Sequence, residues 1–244
     1  MKNNFLNNNN IIYGIHPVNE LIKSNKRKIF KIYIQSPTSQ NILNILKNIN
    51  KQKIEVIYCS KEKLGSICRN DDHQGIIAIA EEIRYSKKMF DPSKYSAILL
   101  LDKIQDPRNL GAIIRSANCF NIFAMIISER GGVHITPTVI KASSGLSEYM
   151  DIYIASSENG IKEAKNNGYN IYLTGFNGTS INNFEPKLPF CIVIGNEEVG
   201  ISKNLYKYGE TISIPQRNNN ISLNASVAAS IIMHNLTIKT GLCQ

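Results

Sequence analysis

Apolar and polar positions begin to recur regularly at Ile11. YGIHPVNELIKS, from Tyr13, predicts a turn into a short amphipathic helix with Val18, Leu21 and Ile22 on one face. FKIYIQS alternates like a half-buried strand. Asn41 to Lys53 spaces Ile42, Leu43, Ile45, Leu46 and Ile49 like a helix. IEVIYCS, KEKLGSIC and GIIAIAEE then predict a strand, a short helix and a strand. Together these form an α/β unit of about 70 residues, a size at which small domains fold alone. The expected domain map is a disordered Asn-rich tail at 1–10, this unit at 11–83, and a linker at 84–95. In the linker, charges and a proline break the pattern.

Strands and helices alternate through the remaining segment, 96–244. SAILLLD, NLGAIIRSANCF, IFAMIIS, TPTVIKASSGLSEY, MDIYIA, NGIKEAKNNG, NIYLTGF, FCIVIG and TISIP lead to a final helix from about Leu223 to Thr240. Such alternation predicts an α/β fold built on a parallel sheet covered on both faces. The GxGxxG and GxxxxGK[ST] fingerprints are absent, and the glycines gather instead in TGFNG and IGNEEVG. A nucleotide-type cofactor is therefore not expected in the ordinary nucleotide-binding crevice.

Charge divides the chain further. Residues up to Tyr95 carry 16 Lys+Arg against 8 Asp+Glu, and the rest 12 against 11. The excess on one side suggests that the front half grips a polyanion while the back half does chemistry. A composition rich in Asn, Lys and Ile is the plainer source of lysine, but it does not explain the asymmetry. Lys26, Arg27, Lys28 and Lys31 form a basic cluster suited to phosphate contacts, or else a solvated loop. Five widely spaced cysteines without CxxC, and four histidines without HxxxH, support neither a disulfide framework nor a metal site. His16 and His73 read as turn or packing histidines. With no signal-peptide pattern and no apolar run of membrane-span length, a cytoplasmic protein without membrane contact is expected.

Three segments follow apolar strands and carry side chains that a core would not select: NLGAIIRSA from Asn109, IGNEEVG from Ile194, and IPQRNNNISLNAS from Ile214. In parallel α/β sheets, residues beyond the strand ends converge on one crevice. Arg115 interrupts an apolar helix; exposure on its surface is the bland alternative. Glu197 and Glu198 sit in a loop, where solvation is the usual fate of such a pair. Ser222 and Asn224 precede a helix of small residues, where capping is the ordinary use of Ser and Asn.

In this order the three segments resemble the motif set of the SpoU, or TrmH-like, family of S-adenosylmethionine-dependent RNA ribose 2'-O-methyltransferases. YGIHPVNELI and HQGIIAIA are similar to the substrate-binding domain of its RlmB-like subgroup. The resemblance implies a trefoil knot in the C-terminal domain and a homodimer. It also implies S-adenosyl-L-methionine as methyl donor, contacted around Gly175, Gly195, Ile214 and Leu223, with no metal. It assigns catalysis to Asn109, Arg115, Glu197, Ser222 and Asn224, with Glu197 holding Arg115 and Asn224 orienting the ribose. Because guanidinium does not readily lose its proton, Arg115 suits a phosphate clamp better than a general base. The implied partner is large-subunit (23S) rRNA or a pre-ribosomal particle, methylated on a guanosine ribose. A tRNA ribose methyltransferase and a non-catalytic ribosome-assembly factor are the alternatives.

Overall fold

The computed structural model describes residues 10–49, 54–218 and 221–243. The tail assigned to residues 1–10 lies outside the described residues except for Asn10. In chain order the elements are β1 (Ile11–Tyr13), α1 (Ile15–Ser24), β2 (Ile29–Gln35), α2 (Gln40–Ile49), β3 (Glu55–Cys59), α3 (Lys61–Cys68), β4 (Ile76–Ala80), β5 (Ala97–Asp102) and α4 (Pro107–Cys119). They continue with β6 (Ala124–Ser128), α5 (Pro137–Ala142), β7 (Asp151–Ala155), α6 (Ser157–Asn166), β8 (Asn170–Ser180), β9 (Phe190–Gly195), β10 (Glu210–Ser213) and α7 (Ala225–Lys239). Short 3-10 helices cover Leu146–Tyr149 and Lys203–Tyr208. No helix among the described residues is long and apolar enough to cross a membrane.

The chain divides into two compact units, residues 1–83 with 135–149, and residues 84–134 with 150–244. The first unit carries a four-stranded sheet in the order β1-β4-β2-β3, with only β2 and β3 parallel. β1 escapes a pattern reading because three residues are too few to show a period. Ile11, Tyr13, Leu64, Ile77 and Ile79 form a core on this sheet. His73 is buried, its Nδ1 accepts the Gly75 N–H at 3.0 Å, and burial lowers its pKa.

Residues 135–149 depart from the sequence-based division by joining this unit. The single helix expected from TPTVIKASSGLSEY also stops early, at Ala142. Ser144 (φ 57) and Gly145 (φ 85) turn the chain, and a Cβ on Gly145 would come within 2.7 Å of the Pro17 Cα. The turn brings Glu148 to Arg27. The guanidinium donates through Nε to Glu148 Oε2 at 2.9 Å and through a second nitrogen to Oε1, and it reaches the Glu81 carbonyl at 2.6 Å. Both side chains are buried. Arg27 therefore leaves the predicted phosphate-binding cluster, since it is fully engaged inside the unit.

The second unit holds six strands, all parallel, in the order β10-β8-β9-β5-β6-β7. β5 is buried along its whole length, as a central parallel strand must be. The segment 84–95, expected as a linker, packs into this unit instead. Ser86 N–H bonds the Ile152 carbonyl, Phe90 enters the core, and the Tyr95 hydroxyl donates to Asp151. Its aromatic residues supply the apolar surface that its charges obscure in the sequence. β8 runs longer than NIYLTGF suggests, with a register shift against β10 at Thr211/Ile212.

The register of β5 on β9 positions the site. Leu101 lies opposite Ile194 and Asp102 opposite Gly195, so the loops leaving the two strands start side by side. In the first unit, Glu148→Ala leaves a buried guanidinium unpaired and should cost about 3–5 kcal/mol. The paired replacement Arg27→Met with Glu148→Leu should cost far less. Urea denaturation of the full chain measures both.

Candidate functional site

α4 starts where its sequence directs. Asp106 caps it, accepting the Arg108 N–H at 2.7 Å, and Pro107 occupies its first turn. This places Asn109, 8% exposed, at the mouth of the β5 strand. From the neighbouring β9 the loop after Gly195 folds tightly. Asn196 Oδ1 accepts the Glu198 and Val199 N–H groups at 2.9 and 3.1 Å, and Asn196 and Gly200 exchange backbone hydrogen bonds. Gly200 adopts φ +71, and a Cβ on Gly195 would lie 2.4 Å from the Gly200 carbonyl carbon. Both glycines are required by this turn.

The turn sends Glu197 over the start of α4. Glu197 Oε1 accepts Asn109 Nδ2 at 2.8 Å, while Asn109 Oδ1 accepts Asn224 Nδ2 at 3.0 Å. A carboxylate can only accept, so Glu197 fixes which way the Asn109 amide points. Asn224 also caps α7, its Oδ1 accepting the Ser226 N–H at 2.9 Å. Capping and site-building are thus the work of one side chain, and the three polar segments meet in a single chain, Glu197–Asn109–Asn224.

Beside that chain lies a cavity of about 400 Å³. Gly175, Gly195, Ile214 and Leu223 all line it, with Ser222 and Glu197. Ile194, Ile212 and Ile232 give it an apolar wall, and Asn196, Glu197 and Gln216 a polar side. Phe176, Asn196 and Tyr206 line it without having been singled out in the sequence; the signal available was their place in TGFNG, IGNEEVG and the segment before β10. Burial, and secondarily the charge of Asp102, raise the Tyr206 pKa. A ligand with an apolar part and a hydrogen-bonding part matches this lining.

Arg115 stands apart from this assembly. It is exposed, does not line the cavity, and bonds no group among the described residues. Six positions beyond Asn109 on a regular helix correspond to about 240° of rotation and about 9 Å of rise. Glu197 therefore does not hold Arg115, as the motif reading expected. It holds Asn109, with further contacts at 3.5 Å to the Gln105 N–H and 3.4 Å to Asn196 Nδ2. In the basic cluster, Lys26 and Lys28 are exposed, Lys28 sitting 5.6 Å from the Phe30 ring centre, whereas Lys31 pairs with Glu55 at 2.9 Å.

A model of the SpoU rRNA Methylase family matches residues 96–234, and one for RNA 2'-O ribose methyltransferase substrate binding matches residues 11–86. A Staphylococcus epidermidis protein named for the TrmH family of tRNA/rRNA methyltransferases is 36% identical, over 92% of this chain and 93% of its own. A solved RNA 2'-O ribose methyltransferase superposes with a TM-score of 0.82 at 20% identity, covering 94% of this chain and 88% of the other. The SpoU methyltransferase AviRb of Streptomyces viridochromogenes, solved with AdoMet, superposes with a TM-score of 0.78 at 18% identity, over 97% and 95%. The motifs, the parallel sheet that brings them together and these matches agree: the chain belongs to the SpoU (TrmH-like) family of RNA 2'-O-methyltransferases.

Proposed function

We propose that this protein methylates the 2'-hydroxyl of a guanosine ribose in large-subunit (23S) rRNA, using S-adenosylmethionine held in the cavity beside Glu197. The hydrogen-bonded chain Glu197–Asn109–Asn224 at the cavity edge carries the proposal. The bound cofactor supplies the electrophilic methyl group, and the acceptor oxygen must approach it in line. The apolar wall receives the adenine ring, and backbone near Gly195, Ile214 and Leu223 makes the polar contacts. Asn109, oriented by Glu197, and Asn224 present amide groups to the acceptor ribose, and Ser222 is close in sequence to both the cavity and the cap. Arg115, unpaired and outward, offers five donors in a fixed fork to the phosphate next to that ribose.

Dimerisation belongs to the same reading. α7 carries apolar residues on its outer side as well, with Val227, Ile231 and Ile238 exposed at 46%, 37% and 48%, and exposed apolar residues grouped on one helix suit a partner surface. α7 lies against α4, with Ser230 Oγ bonding Ser116 Oγ at 2.7 Å, so a second copy seated there brings its surface near Arg115. In this proposal the C-terminal segments are tied in the family's trefoil knot, the enzyme works in the cytoplasm, and the front unit binds the RNA. The front-half excess of positive charge and the substrate-binding family match support that last role. A dedicated substrate-binding unit favours rRNA over tRNA as the target.

Methyl incorporation from labelled S-adenosylmethionine into undermethylated large-subunit rRNA is the direct test. Label is expected at one guanosine ribose, reduced about 10²–10³-fold by Arg115→Ala, the usual scale for losing a positioned donor. Label on tRNA alone would move the target, and no label on rRNA, tRNA or precursor particles would favour an assembly factor. Asn109→Asp removes the donor to Glu197 and sets two carboxylates against each other, so cofactor affinity should fall at least about tenfold, the scale of one lost hydrogen bond to a charged group; titration calorimetry reads this.

A further inference from the structure

Asp102, the last residue of β5, is a carboxylate at 0% exposure among apolar strands. Burying it is costly unless each oxygen is bonded, and an apolar side chain would fill the position without that cost. Its Oδ1 accepts the Ser157 hydroxyl at 2.6 Å, and its Oδ2 accepts the Ser202 N–H at 2.7 Å. Among the described residues neither oxygen bonds a cation. Ser157 is itself braced, its Oγ lying 2.7 Å from the buried Ser128 Oγ. The next residue, Lys103, takes φ 60, and its carbonyl accepts Asn196 Nδ2 at 2.9 Å. Two consecutive residues at the end of β5 thus fasten both ends of the loop 196–202, the Lys103 carbonyl its start and the Asp102 carboxylate its end. Residues 196–201 of that loop line the cavity, and Glu197 on it sets Asn109.

We propose that Asp102 is a positioning residue for the cofactor cavity, tethering the 196–202 loop in its lining shape before anything binds. It therefore governs affinity for the adenosyl cofactor rather than the rate of the transfer step. This rests on the cofactor assignment proposed above. Among carboxylates near the site, Glu197 and Glu198 line the cavity, whereas Asp102 does not and reaches the loop through the Ser202 amide.

Two substitutions cut the tether from opposite sides. Asp102→Ala removes the acceptor. Ser202→Pro removes the donor at a residue whose φ of −55 suits proline, and with it the hydroxyl that accepts Lys103 Nζ at 3.3 Å. In the unliganded protein, hydrogen exchange at residues 199–201 should quicken about tenfold or more in either variant, with β5 and β9 unchanged. Calorimetry should show S-adenosylmethionine binding weakened about 10–30-fold in each. The losses in the double variant should fall well short of additive, because both substitutions remove the Asp102–Ser202 bond. At saturating cofactor kcat should stay within about threefold. Asp102→Asn keeps an acceptor for Ser202 and can donate to a reoriented Ser157 hydroxyl, so it should bind within about threefold of the unsubstituted protein. Unchanged loop exchange, additive losses, or faster exchange spread through β5 and β9 would each overturn the tether. Should Asp102→Ala not fold, Ser202→Pro carries the test alone. If the unsubstituted protein binds no S-adenosylmethionine, the cofactor assignment fails, while loop exchange still decides the tether separately.

Discussion

One side-chain amide holds the site together. Asn109 gives its NH2 to Glu197 and its carbonyl to Asn224, joining segments 88 and 115 residues away in sequence. A primary amide donates through its NH2 and accepts through its carbonyl, so one side chain serves both partners. Everything around it serves to put those two partners within 3 Å. The β5–β9 register starts two loops together, the Asp106 cap sets the first turn of α4, and the glycine turn after β9 aims Glu197. Asn109 is buried at the middle of this chain, between a half-buried Glu197 and an exposed Asn224, so losing either of its partners is costly. The site is thus built to keep one geometry.

Much of this was legible in the sequence because it follows from strand ends. Gly175, Gly195, Ile214 and Leu223, which the family resemblance singled out, line one cavity. Asn109, Glu197 and Asn224 are joined as the motif order implies, although the bonding partner of Glu197 is an amide rather than Arg115. What escaped were pairings across long sequence distance. Arg27 sits in a run of lysines and looks like one of them; only Glu148, 121 residues on, turns it inward. Asp102 reads as the polar end of a strand, and nothing local announces that its acceptors are taken up by Ser157 and Ser202. Phe90 and Tyr95 lie in a stretch whose charges and proline mask the apolar contacts that fix it to the second unit.

The contribution of residues 135–149 to the first unit has a physical consequence. That unit is not made from one continuous stretch, so its buried ion pair requires chain that leaves the second unit after His134 and returns at Met150. The unit proposed to grip RNA and the unit proposed to transfer the methyl group are therefore linked by three passages of the chain, after residues 83, 134 and 149. A fragment ending at Ile83 lacks Glu148 and strands Arg27, which explains why contiguous pattern reading misjudges what this unit needs to fold.

The account stands most directly on where the cofactor sits. A crystal structure of the protein with S-adenosylhomocysteine would decide it. The account predicts the ligand in the cavity lined by Gly175, Gly195, Ile214 and Leu223, with its sulfur turned toward the Glu197–Asn109 pair. A ligand bound elsewhere, or one that enters this cavity with its sulfur turned away from Asn109, would contradict it.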